Sequence, residues 1–490
     1  VDARRLIMDL FEPLDINGMV IPNRILVPAM VTRLSGEDGH VNQDIIDRYV
    51  RYAAGNVGLI VVEAMAVHSA KSGPLLRISE DQFTAGHAEL TKRVHDTSDS
   101  KVVPQIIHFM KLARSGWRQT LDLLSSEEID QIIEQFGNAA VRAREAGYDG
   151  IELHAAHAYT LASSLSRLNP RRDEYTGRTL EGRLRMVGRV MADVRRKVGD
   201  DYPVGIRILA DEYIKDGYTV SEAKLIALRL AQLGVDYISL SVGGKFEDAV
   251  HKEGEIVYPY TGYSGDRCMA GDWYPAMLHV AYAAEIKSFI NSKGYQVPIV
   301  SAGKNSNPED ARSIIAEGKA DIVGIARGLL ADPDWPIKVQ GGEVDCIVHC
   351  TYCNVCKKLD GEHKEVVCFL WPKGVRQAPP DAADGDAPSW GDDQGGLAVE
   401  LRDGTARLEW TKAEGEVTGY DVYRADDDGQ VQIIEAVKGC RLTDRAILAG
   451  MPYRYYIRAY DSVGRASVPS KSVRIDPAIP DYAAELGTAQ

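Results

Sequence analysis

The chain has 490 residues, 45% of them hydrophobic, so it can bury a sizeable core and is too long for one ordinary domain. Its 71 acidic residues outnumber its 57 basic ones, and the formal net charge of −14 at pH 7 argues against nucleic acid or an anionic membrane as a main partner. Because no apolar run is long enough to span a membrane and the first residues lack signal-peptide features, we expect a soluble, cytoplasmic protein without a membrane span.

Short apolar runs alternate with amphipathic segments through most of the chain. Each run is apolar on both faces, as strands must be when helices cover the outside of a closed parallel sheet and side chains fill its inside. The alternation predicts an α/β fold, a (β/α)8 TIM barrel over residues 1–345. A doubly wound open sheet is the main alternative, but no Gly-rich dinucleotide fingerprint follows the first strand. The eight runs begin at Ile25, Gly58, Val102, Gly150, Val204, Tyr237, Pro298 and Asp321.

The fourth run ends in His154-Ala-Ala-His157-Ala-Tyr159. In a parallel barrel, chemistry collects where strands end and loops begin. Two imidazoles and a phenol within six residues provide hydrogen-bonding groups that can grip a carbonyl oxygen and deliver a proton. A metal site or a packed surface loop could use the same residues, and the strand-end position favours the catalytic interpretation.

Four cysteines lie close together between residues 350 and 368, within the predicted cluster-binding segment 346–375. Three clustered cysteines with a distant fourth are typical of an iron-sulfur cube, whereas zinc usually takes two separated cysteine pairs. Unliganded thiols are the third possibility. The spacing favours a [4Fe-4S] cluster, and therefore a redox protein. The predicted ligands are Cys350, Cys353, Cys356 and Cys368.

The other three cysteines, Cys268, Cys346 and Cys440, are far apart in the sequence. An odd number of scattered cysteines suits a reducing compartment better than a disulfide scaffold. We expect these three to be ordinary buried thiols.

The composition changes after the cysteine segment. Residues 376–395 are rich in Pro, Gly and Asp and predict a linker. Residues 396–477 contain short alternating strands separated by turn residues, which predicts a small antiparallel β-sandwich before a tail at 478–490. Its aromatic residues resemble the core pattern of a fibronectin type III module. They are Trp410, Tyr420, Tyr423 and Tyr456.

Several segments taken together carry a specific likeness to a known family. They are Leu10-Phe-Glu-Pro, Pro22-Asn-Arg, the His154 to Tyr159 segment, Asn169-Pro-Arg-Arg-Asp-Glu-Tyr-Thr-Gly, Ala320-Asp-Ile-Val-Gly-Ile-Ala-Arg-Gly-Leu-Leu-Ala-Asp-Pro, and the cysteine segment. Over residues 10–373 the chain resembles the Old Yellow Enzyme superfamily of flavin oxidoreductases. Within it, the chain resembles the iron-sulfur branch that includes 2,4-dienoyl-CoA reductase, 2-enoate reductase and trimethylamine dehydrogenase.

The resemblance implies FMN bound at the barrel mouth. Gln105 matches the family residue at the flavin pyrimidine edge, and Arg207 matches the arginine that stabilises negative charge on reduced flavin. The loops after the seventh and eighth strands are where barrels commonly bind phosphate. In those loops the predicted cofactor residues are Ser301, Ala302, Gly303, Gly324, Ala326 and Arg327, and the ring of the flavin should be lined by Pro28, Ala29, Met30 and Ala64.

The implied reaction is hydride transfer from reduced flavin to the β-carbon of an activated alkene. His154 and His157 would hold the carbonyl oxygen while Tyr159 protonates the α-carbon. The flavin should be non-covalent, since no cysteine follows the first strand.

Two departures limit the resemblance. Dienoyl-CoA reductase has a second catalytic histidine after strand six, where this chain has Lys245. Relatives of this branch usually continue into FAD and NAD(P)H domains, whereas no Gly-x-Gly-x-x-Gly sequence occurs here. We therefore expect electrons to be exchanged with an external electron-transfer protein or an NAD(P)H-oxidising subunit. The sandwich could dock that partner or mediate contacts in a homo-oligomer.

The leading hypothesis is an FMN and [4Fe-4S] oxidoreductase that reduces or forms the activated C=C bond of an α,β-unsaturated carbonyl or enoyl-CoA-type substrate. Amine (C-N) dehydrogenation of the trimethylamine dehydrogenase type is the alternative, because the cysteine spacing follows that enzyme. A non-catalytic electron-transfer or scaffolding subunit is conceivable. A glycosidase would need paired carboxylates at strand ends, and that condition is not met.

Overall fold

The computed structural model describes residues 9–70, 73–110, 121–244, 246–248, 265–371, 374–379, 387–426, 431–462 and 465–478. The chain divides into two compact units. The first comprises residues 1–341 and 352–368, and the second comprises residues 342–351 and 369–490. No helix in the described ranges is long and apolar enough to cross a membrane.

The first unit begins with an antiparallel hairpin of β1 (Leu14–Ile16) and β2 (Met19–Ile21). Its turn, Asn17-Gly18, has positive φ at both residues, the geometry that suits a tight hairpin and that Asn-Gly readily adopts. The apolar side of the hairpin packs with buried side chains of the barrel interior, including Leu26 and Val61. The hairpin therefore closes the amino-terminal end of the barrel.

Eight parallel strands follow and close into a barrel in which β10 pairs with β3. The predicted TIM barrel is confirmed. Nearly every strand residue is buried, because helices cover the outside and side chains fill the inside. The strands are β3 (Ile25–Val27), β4 (Leu59–Ala66), β5 (Lys101–Ile107), β6 (Ile151–Ala155), β7 (Val204–Leu209), β8 (Tyr237–Ser241), β9 (Ile299–Ala302) and β10 (Ile322–Gly324).

Several helices of this unit begin at a side-chain cap, formed by Asn42, Ser125, Thr179 and Asn307. Ser125 and Glu128 form the predicted capping box, and Asn307 caps the helix that opens with Pro308. The helices are α1 (Gln43–Ala54), α2 (Thr84–Thr97), α3 (Ser126–Glu145), α4 (Thr160–Leu165), α5 (Leu180–Val198), α6 (Val220–Gln232), α7 (Val280–Ser292), α8 (Pro308–Ala316), α9 (Arg327–Ala331), α10 (Trp335–Gly341) and α11 (Val355–Gly361).

The short helix α9, which begins at Arg327, is anchored by a buried ion pair. Asp332 ends the helix, and its Oδ2 lies 2.7 Å from Nζ of Lys338 on α10. Both side chains are almost fully buried, at 3% and 4% exposure. This pair therefore fixes the helix that carries the arginine at the barrel mouth.

The second unit contains two separate antiparallel sheets. One has the order β11-β12-β15 and the other the order β14-β13-β16-β17. Trp410, Tyr420 and Tyr455 lie in its apolar core, and Tyr423 stacks on Tyr456. The fibronectin type III likeness stays a prediction, as do the domain boundaries. The strands are β11 (Ala398–Arg402), β12 (Thr405–Glu409), β13 (Gly419–Asp426), β14 (Val431–Val437), β15 (Arg441–Asp444), β16 (Tyr453–Tyr460) and β17 (Val473–Ile475).

Replacing Lys338 by Met should lower the free energy of unfolding of the barrel unit by about 3–5 kcal/mol, because it leaves the Asp332 carboxylate buried without its cation. The double variant D332N/K338M should recover most of that loss. The measurement is urea unfolding followed by circular dichroism. Lys92→Met, which breaks the exposed pair with Asp96, is the control and should not change stability measurably. A K338M protein as stable as the parent would contradict the anchoring role.

Candidate active site

The three predicted catalytic residues meet at the carboxyl-terminal mouth of the barrel. The imidazole of His154 lies with its ring centroid 5.1 Å from that of His157 and 5.2 Å from the ring of Tyr159. All three side chains line one cavity in the first unit. The structure therefore brings together two imidazoles and a phenol as the sequence predicts.

An unusual turn after β6 places these side chains. His157 and Ala158 both have left-handed backbone conformations, with φ of 54° and 60°, which is uncommon for residues other than glycine. Gly244 packs directly against this turn, since a Cβ atom there would lie 3.1 Å from Cα of His157. The turn directs the chain back toward the mouth before α4 begins.

His157 is held by two neighbours on the far side of its ring. Its Nε2 lies 2.7 Å from Oγ of Ser241 and 3.1 Å from Sγ of Cys268. Cys268 lines the cavity and so belongs to the site, whereas the sequence suggested only an ordinary buried thiol. Burial raises the pKa of this thiol, which keeps it protonated and able to act as a weak hydrogen-bond donor.

The predicted flavin-contacting residues Gln105 and Arg207 also line the cavity. Nε2 of Gln105 donates a 2.6 Å hydrogen bond to Oε1 of Glu152, and Nη1 of Arg207 donates to Oγ of Ser239 at 3.1 Å. Gln105, Glu152 and Arg207 sit on the neighbouring strands β5, β6 and β7. A small polar network therefore forms the floor of the mouth.

The residues predicted for the first-strand loop and the second strand line the opposite wall. Pro28, Ala29 and Met30 follow β3, and Ala64 lies where the register of β4 shifts against β5. These groups are small or apolar, so they leave room for a flat ring. Whether they contact a cofactor stays a prediction.

The two predicted phosphate-binding loops form one end of the cavity. Ala302, Gly303, Gly324, Ala326 and Arg327 all line it. Gly303 has a φ of 145°, and a Cβ atom there would lie 2.7 Å from the ring of His279, so the loop needs glycine at this position.

Ser301 differs from its neighbours, because its side chain is fully buried behind the cavity wall. Its hydroxyl oxygen has no hydrogen-bond partner among the described residues. The backbone of Ser301 instead supports the loop, since its carbonyl oxygen accepts a 3.0 Å hydrogen bond from Asn305.

The cysteine-bearing segment completes this end of the cavity. The ring of Tyr352 lies between two cations, 4.5 Å from Nζ of Lys304 and 4.9 Å from the guanidinium carbon of Arg327. Its hydroxyl lies 2.6 Å from Oγ of Ser306, and Asn354 accepts a hydrogen bond from Arg327. Contacts of this kind fix the positions of cationic side chains that could otherwise move.

The cavity is built for an anionic guest. Arg207 and Arg327 are both about 8% exposed and line the cavity. Arg207 is near the buried carboxyl group of Glu152 on the neighbouring strand, whereas Arg327 donates a hydrogen bond to the neutral amide of Asn354. Buried cations are costly unless their charge is compensated, so two guanidinium groups that face one cavity favour a bound anion. FMN has both a phosphate and a ring that becomes negatively charged on reduction. The residues present therefore fit FMN.

The predicted cluster ligands are less well defined. Cys353 is exposed and Cys356 half-buried at the edge of the cavity, on either side of Asn354. Cys368 is half-buried near Tyr52, and Cys350 is half-buried in residues 342–351 of the second unit. In the described ranges, no three His, Cys, Asp or Glu side chains converge closely enough to hold a metal ion. The cluster stays a prediction from spacing, and no catalytic step is derived through it.

A buried carboxyl group joins the first-strand loop to β4. Glu63 is fully buried, its Oε2 accepts the backbone N-H of Thr32, and its own N-H donates to the hydroxyl of Tyr49 at 2.8 Å. Burial raises the pKa of Glu63 to about 7, although the hydrogen bonds from Thr32 and the nearby Arg48 oppose the shift. The wall beside the cavity therefore contains a group that titrates near neutral pH.

Two histidines close to the mouth are kept neutral. His68 and His108 pack edge to face with ring centroids 4.5 Å apart, and burial lowers their pKa values to about 4 and about 3. Nδ1 of His108 lies 2.7 Å from the hydroxyl of Thr160, the first residue of α4. Both imidazoles are therefore neutral near pH 7, and their role is to stabilise the fold around the mouth.

Sequence reasoning missed several residues of the site. Lys304 directly follows the predicted Gly303, and Tyr352 and Asn354 lie inside the cysteine motif, so their position in the sequence could have indicated them. Glu152 and Cys268 gave no such signal. Lys245, which takes the place of a second catalytic histidine in the sequence comparison, lies outside the described residues.

Comparison with known proteins places this geometry among flavin enzymes. The model of the NADH:flavin oxidoreductase / NADH oxidase family matches residues 9–255 and 274–345. The NADH oxidase of Thermoanaerobacter brockii is 36% identical over 368 residues, which cover 71% of this chain and 53% of the relative.

Solved structures show the same fold. A 2-naphthoyl-CoA reductase in complex with 2-naphthoyl-CoA superposes with a TM-score of 0.67 at 22% identity, covering 78% of this chain and 60% of that one. Histamine dehydrogenase from Rhizobium sp. 4-9 gives a TM-score of 0.63 at 23% identity, covering 79% of this chain and 57% of that one. The chain thus spans little more than half the length of these proteins.

Replacing Glu63 by Gln should remove a pH dependence of stability. The folded chain binds this proton more tightly than the unfolded chain, so the stability that it contributes is present below pH 4.5 and lost as pH rises through about 7. E63Q should be more stable than the parent by about 2–3 kcal/mol at pH 8 and nearly equal to it at pH 4.5. Urea unfolding at both pH values measures this, and a difference independent of pH would contradict it.

Proposed function

Because this chain belongs to the NADH:flavin oxidoreductase / NADH oxidase family, we propose that it uses bound FMN to reduce, or in reverse to form, an activated C=C bond. It is a flavin-dependent oxidoreductase of the Old Yellow Enzyme type. The substrate class that we propose is an α,β-unsaturated carbonyl compound or an enoyl-CoA-type ester. A relative named for reduction of an aromatic CoA ester has the same fold.

The observation that carries this proposal is the convergence of His154, His157 and Tyr159 above Arg207 in one cavity. Two imidazoles side by side can hold a carbonyl oxygen and stabilise the negative charge that develops on it. The phenol of Tyr159 lies beside His154 and is placed to deliver a proton. Reduction of an enone needs both functions, because charge develops on the carbonyl oxygen and a proton must reach the α-carbon.

Reduced FMN, when bound, supplies the hydride that such a reaction requires. In our proposal the cavity residues that would hold it are Gln105 and Arg207 at the ring, and Arg327 with the loops around Gly303 and Gly324 at the phosphate. His157 keeps its orientation through the contacts of Nε2 with Ser241 and Cys268, so that the opposite edge of the ring would be presented to the substrate. The apolar wall of Pro28 to Met30 excludes water from the reacting carbon.

We also propose that Cys350, Cys353, Cys356 and Cys368 bind a [4Fe-4S] cluster. The support is their spacing and the position of Cys356 at the edge of the same cavity. The proposed electron source is an external electron-transfer protein or an NAD(P)H-oxidising subunit. Assembly into a homo-oligomer stays a prediction.

Amine oxidation is the second candidate, and the cysteine spacing favours it. A cationic amine prefers a cage of aromatic faces. Here the cationic guanidinium of Arg207 faces the cavity and would repel a protonated amine. The side chains of the cavity therefore favour the carbonyl substrate.

Replacing Tyr159 by Phe should slow the reduction of enones at least about 100-fold, because a positioned proton donor contributes that much, while FMN content stays unchanged. The measurement is anaerobic reoxidation of the reduced enzyme with cyclic enones, cinnamate-type acids and enoyl-CoA esters. Tyr282→Phe, which alters a phenol outside the cavity, is the matched control and should retain full activity.

Two outcomes of this experiment would decide against the proposal. A Y159F enzyme with the parent rate would remove the phenol from the chemistry. Reduction of the oxidised enzyme by tertiary or primary amines, with no reoxidation by any unsaturated carbonyl compound, would favour the amine dehydrogenase instead.

Replacing Cys353 by Ser should abolish the cluster. Anaerobically purified parent protein should contain about four iron and four sulfide per chain together with FMN, and C353S should lose most of the iron. Cys440→Ser, a cysteine of the second unit, is the control and should keep its iron. Iron and acid-labile sulfide are measured chemically, and a parent protein with zinc or without metal would rule out the cluster.

A further inference from the structure

A carboxylate lies beneath the proposed cofactor site, on the strand that carries His154. Glu152 precedes His154 by two residues on β6, so both side chains point into the barrel. It is 1% exposed, and its register neighbour on β5 is Gln105. Its Oε1 accepts a 2.6 Å hydrogen bond from Nε2 of Gln105. No role in the chemistry described above uses this group.

The hydrogen bond constrains which way round the Gln105 amide sits. An amide has one donor end and one acceptor end, and an ionised carboxylate can only accept. The NH2 end of Gln105 must therefore face Glu152, and the carbonyl oxygen is left for a guest in the cavity. Within the described part of the chain, no other donor reaches that oxygen.

Neighbouring groups favour the charged form of Glu152 against the larger effect of its burial. Burial raises the pKa of this carboxyl group, whereas the guanidinium of Arg207 on β7 lowers it. The amide of Gln105 on β5 also favours the charged form by hydrogen bonding. The two strands beside β6 thus each present a group that stabilises a negative charge at this point.

We propose that Glu152 is a positioning residue that locks the Gln105 amide with its carbonyl oxygen toward the cofactor, so that the mouth selects a ring bearing an imide N-H. The flavin pyrimidine has such a group, flanked by two carbonyl oxygens. The proposal rests on the proposed function, because it takes FMN as the guest. It adds a physical reason for selectivity: the carbonyl oxygen of Gln105 would accept a hydrogen bond from a ring N-H, and would repel a ring that has an acceptor atom at that position.

Three roles for Glu152 predict different outcomes for the variant Glu152→Gln. A neutral amide at this position can donate or accept, so the Gln105 amide would lose its fixed direction and FMN should bind more weakly. If Glu152 acted only through its charge, its removal would make the anion FMN bind more tightly. A merely structural role would weaken all flavins equally.

The experiment titrates FMN-depleted parent and E152Q proteins with FMN and with N3-methyl-FMN, which lacks the imide N-H, by the quenching of flavin fluorescence. We expect E152Q to bind FMN about fivefold more weakly, since only the fraction of protein with the correct amide direction is competent. Both proteins should bind N3-methyl-FMN equally within about a factor of two. Unchanged or tighter FMN binding by E152Q, or equal losses for both flavins, would overturn the proposal.

A second variant covers the case in which E152Q does not fold. Gln105→Ala removes the carbonyl oxygen itself, so it should lose the preference for FMN over N3-methyl-FMN that the parent shows. In the double variant E152Q/Q105A, FMN affinity should be no lower than in Q105A, because Glu152 acts through Gln105. If the parent protein bound no flavin, the proposed function would fail, whereas a parent that binds FMN with no preference between the two flavins would refute this inference alone.

Discussion

Two buried guanidinium groups that face one cavity are the constraint around which the first unit is organised. A charge taken out of water must be compensated; Glu152 does this in part for Arg207, and an anionic guest in the cavity would complete it for both cations. Arg207 projects from the middle of β7 and Arg327 begins the helix after β10, so the barrel holds the two cations at separate places along one guest. A molecule with two separated anionic centres satisfies both.

The loops around this cavity are held in place mainly by contacts that are themselves buried. The ion pair of Asp332 and Lys338 anchors the helix that begins at Arg327, and Tyr352 lies against Lys304 and Arg327 together. The segment that carries Cys353 and Cys356 is therefore part of the anion-binding end rather than an appendage. Its αL residues Tyr352 and Asn354 are the points where the backbone accepts strain for this purpose.

Much of the fold was predictable because its signals are local and repeated. Eight apolar runs separated by amphipathic helices specify a parallel barrel. A cluster at the end of a strand, such as His154 to Tyr159, must then lie at the carboxyl-terminal mouth of that barrel. The amino-terminal hairpin was not predicted although Asn17-Gly18 is a common turn signal, because its strands are only three residues long. The fibronectin type III likeness rests on aromatic spacing, and two separate antiparallel sheets are compatible with it.

The parts of the site that were not predictable depend on contacts between distant residues. Cys268 reaches His157 across 111 positions, and Glu152 meets Gln105 across 47, so neither pairing leaves a pattern in the sequence. The orientation of a side chain within a strand-end cluster likewise depends on its neighbours. His157 contacts Ser241 at the end of β8 and Gly244 in the loop that follows, and both support its turn. Sequence motifs therefore indicate which residues belong to the site, whereas the residues that contact and orient them are determined by how the chain packs.

The hairpin of Leu14–Ile21 has a lasting consequence for the whole protein. Because the hairpin closes one end of the described barrel, a small molecule can reach the described cavity only from the opposite rim. The loops of that rim therefore determine which compounds bind. The scaffold and the rim can then evolve at different speeds. Changes in these loops could alter which compounds bind without any change to the strands beneath them, which is how one architecture comes to serve many chemistries.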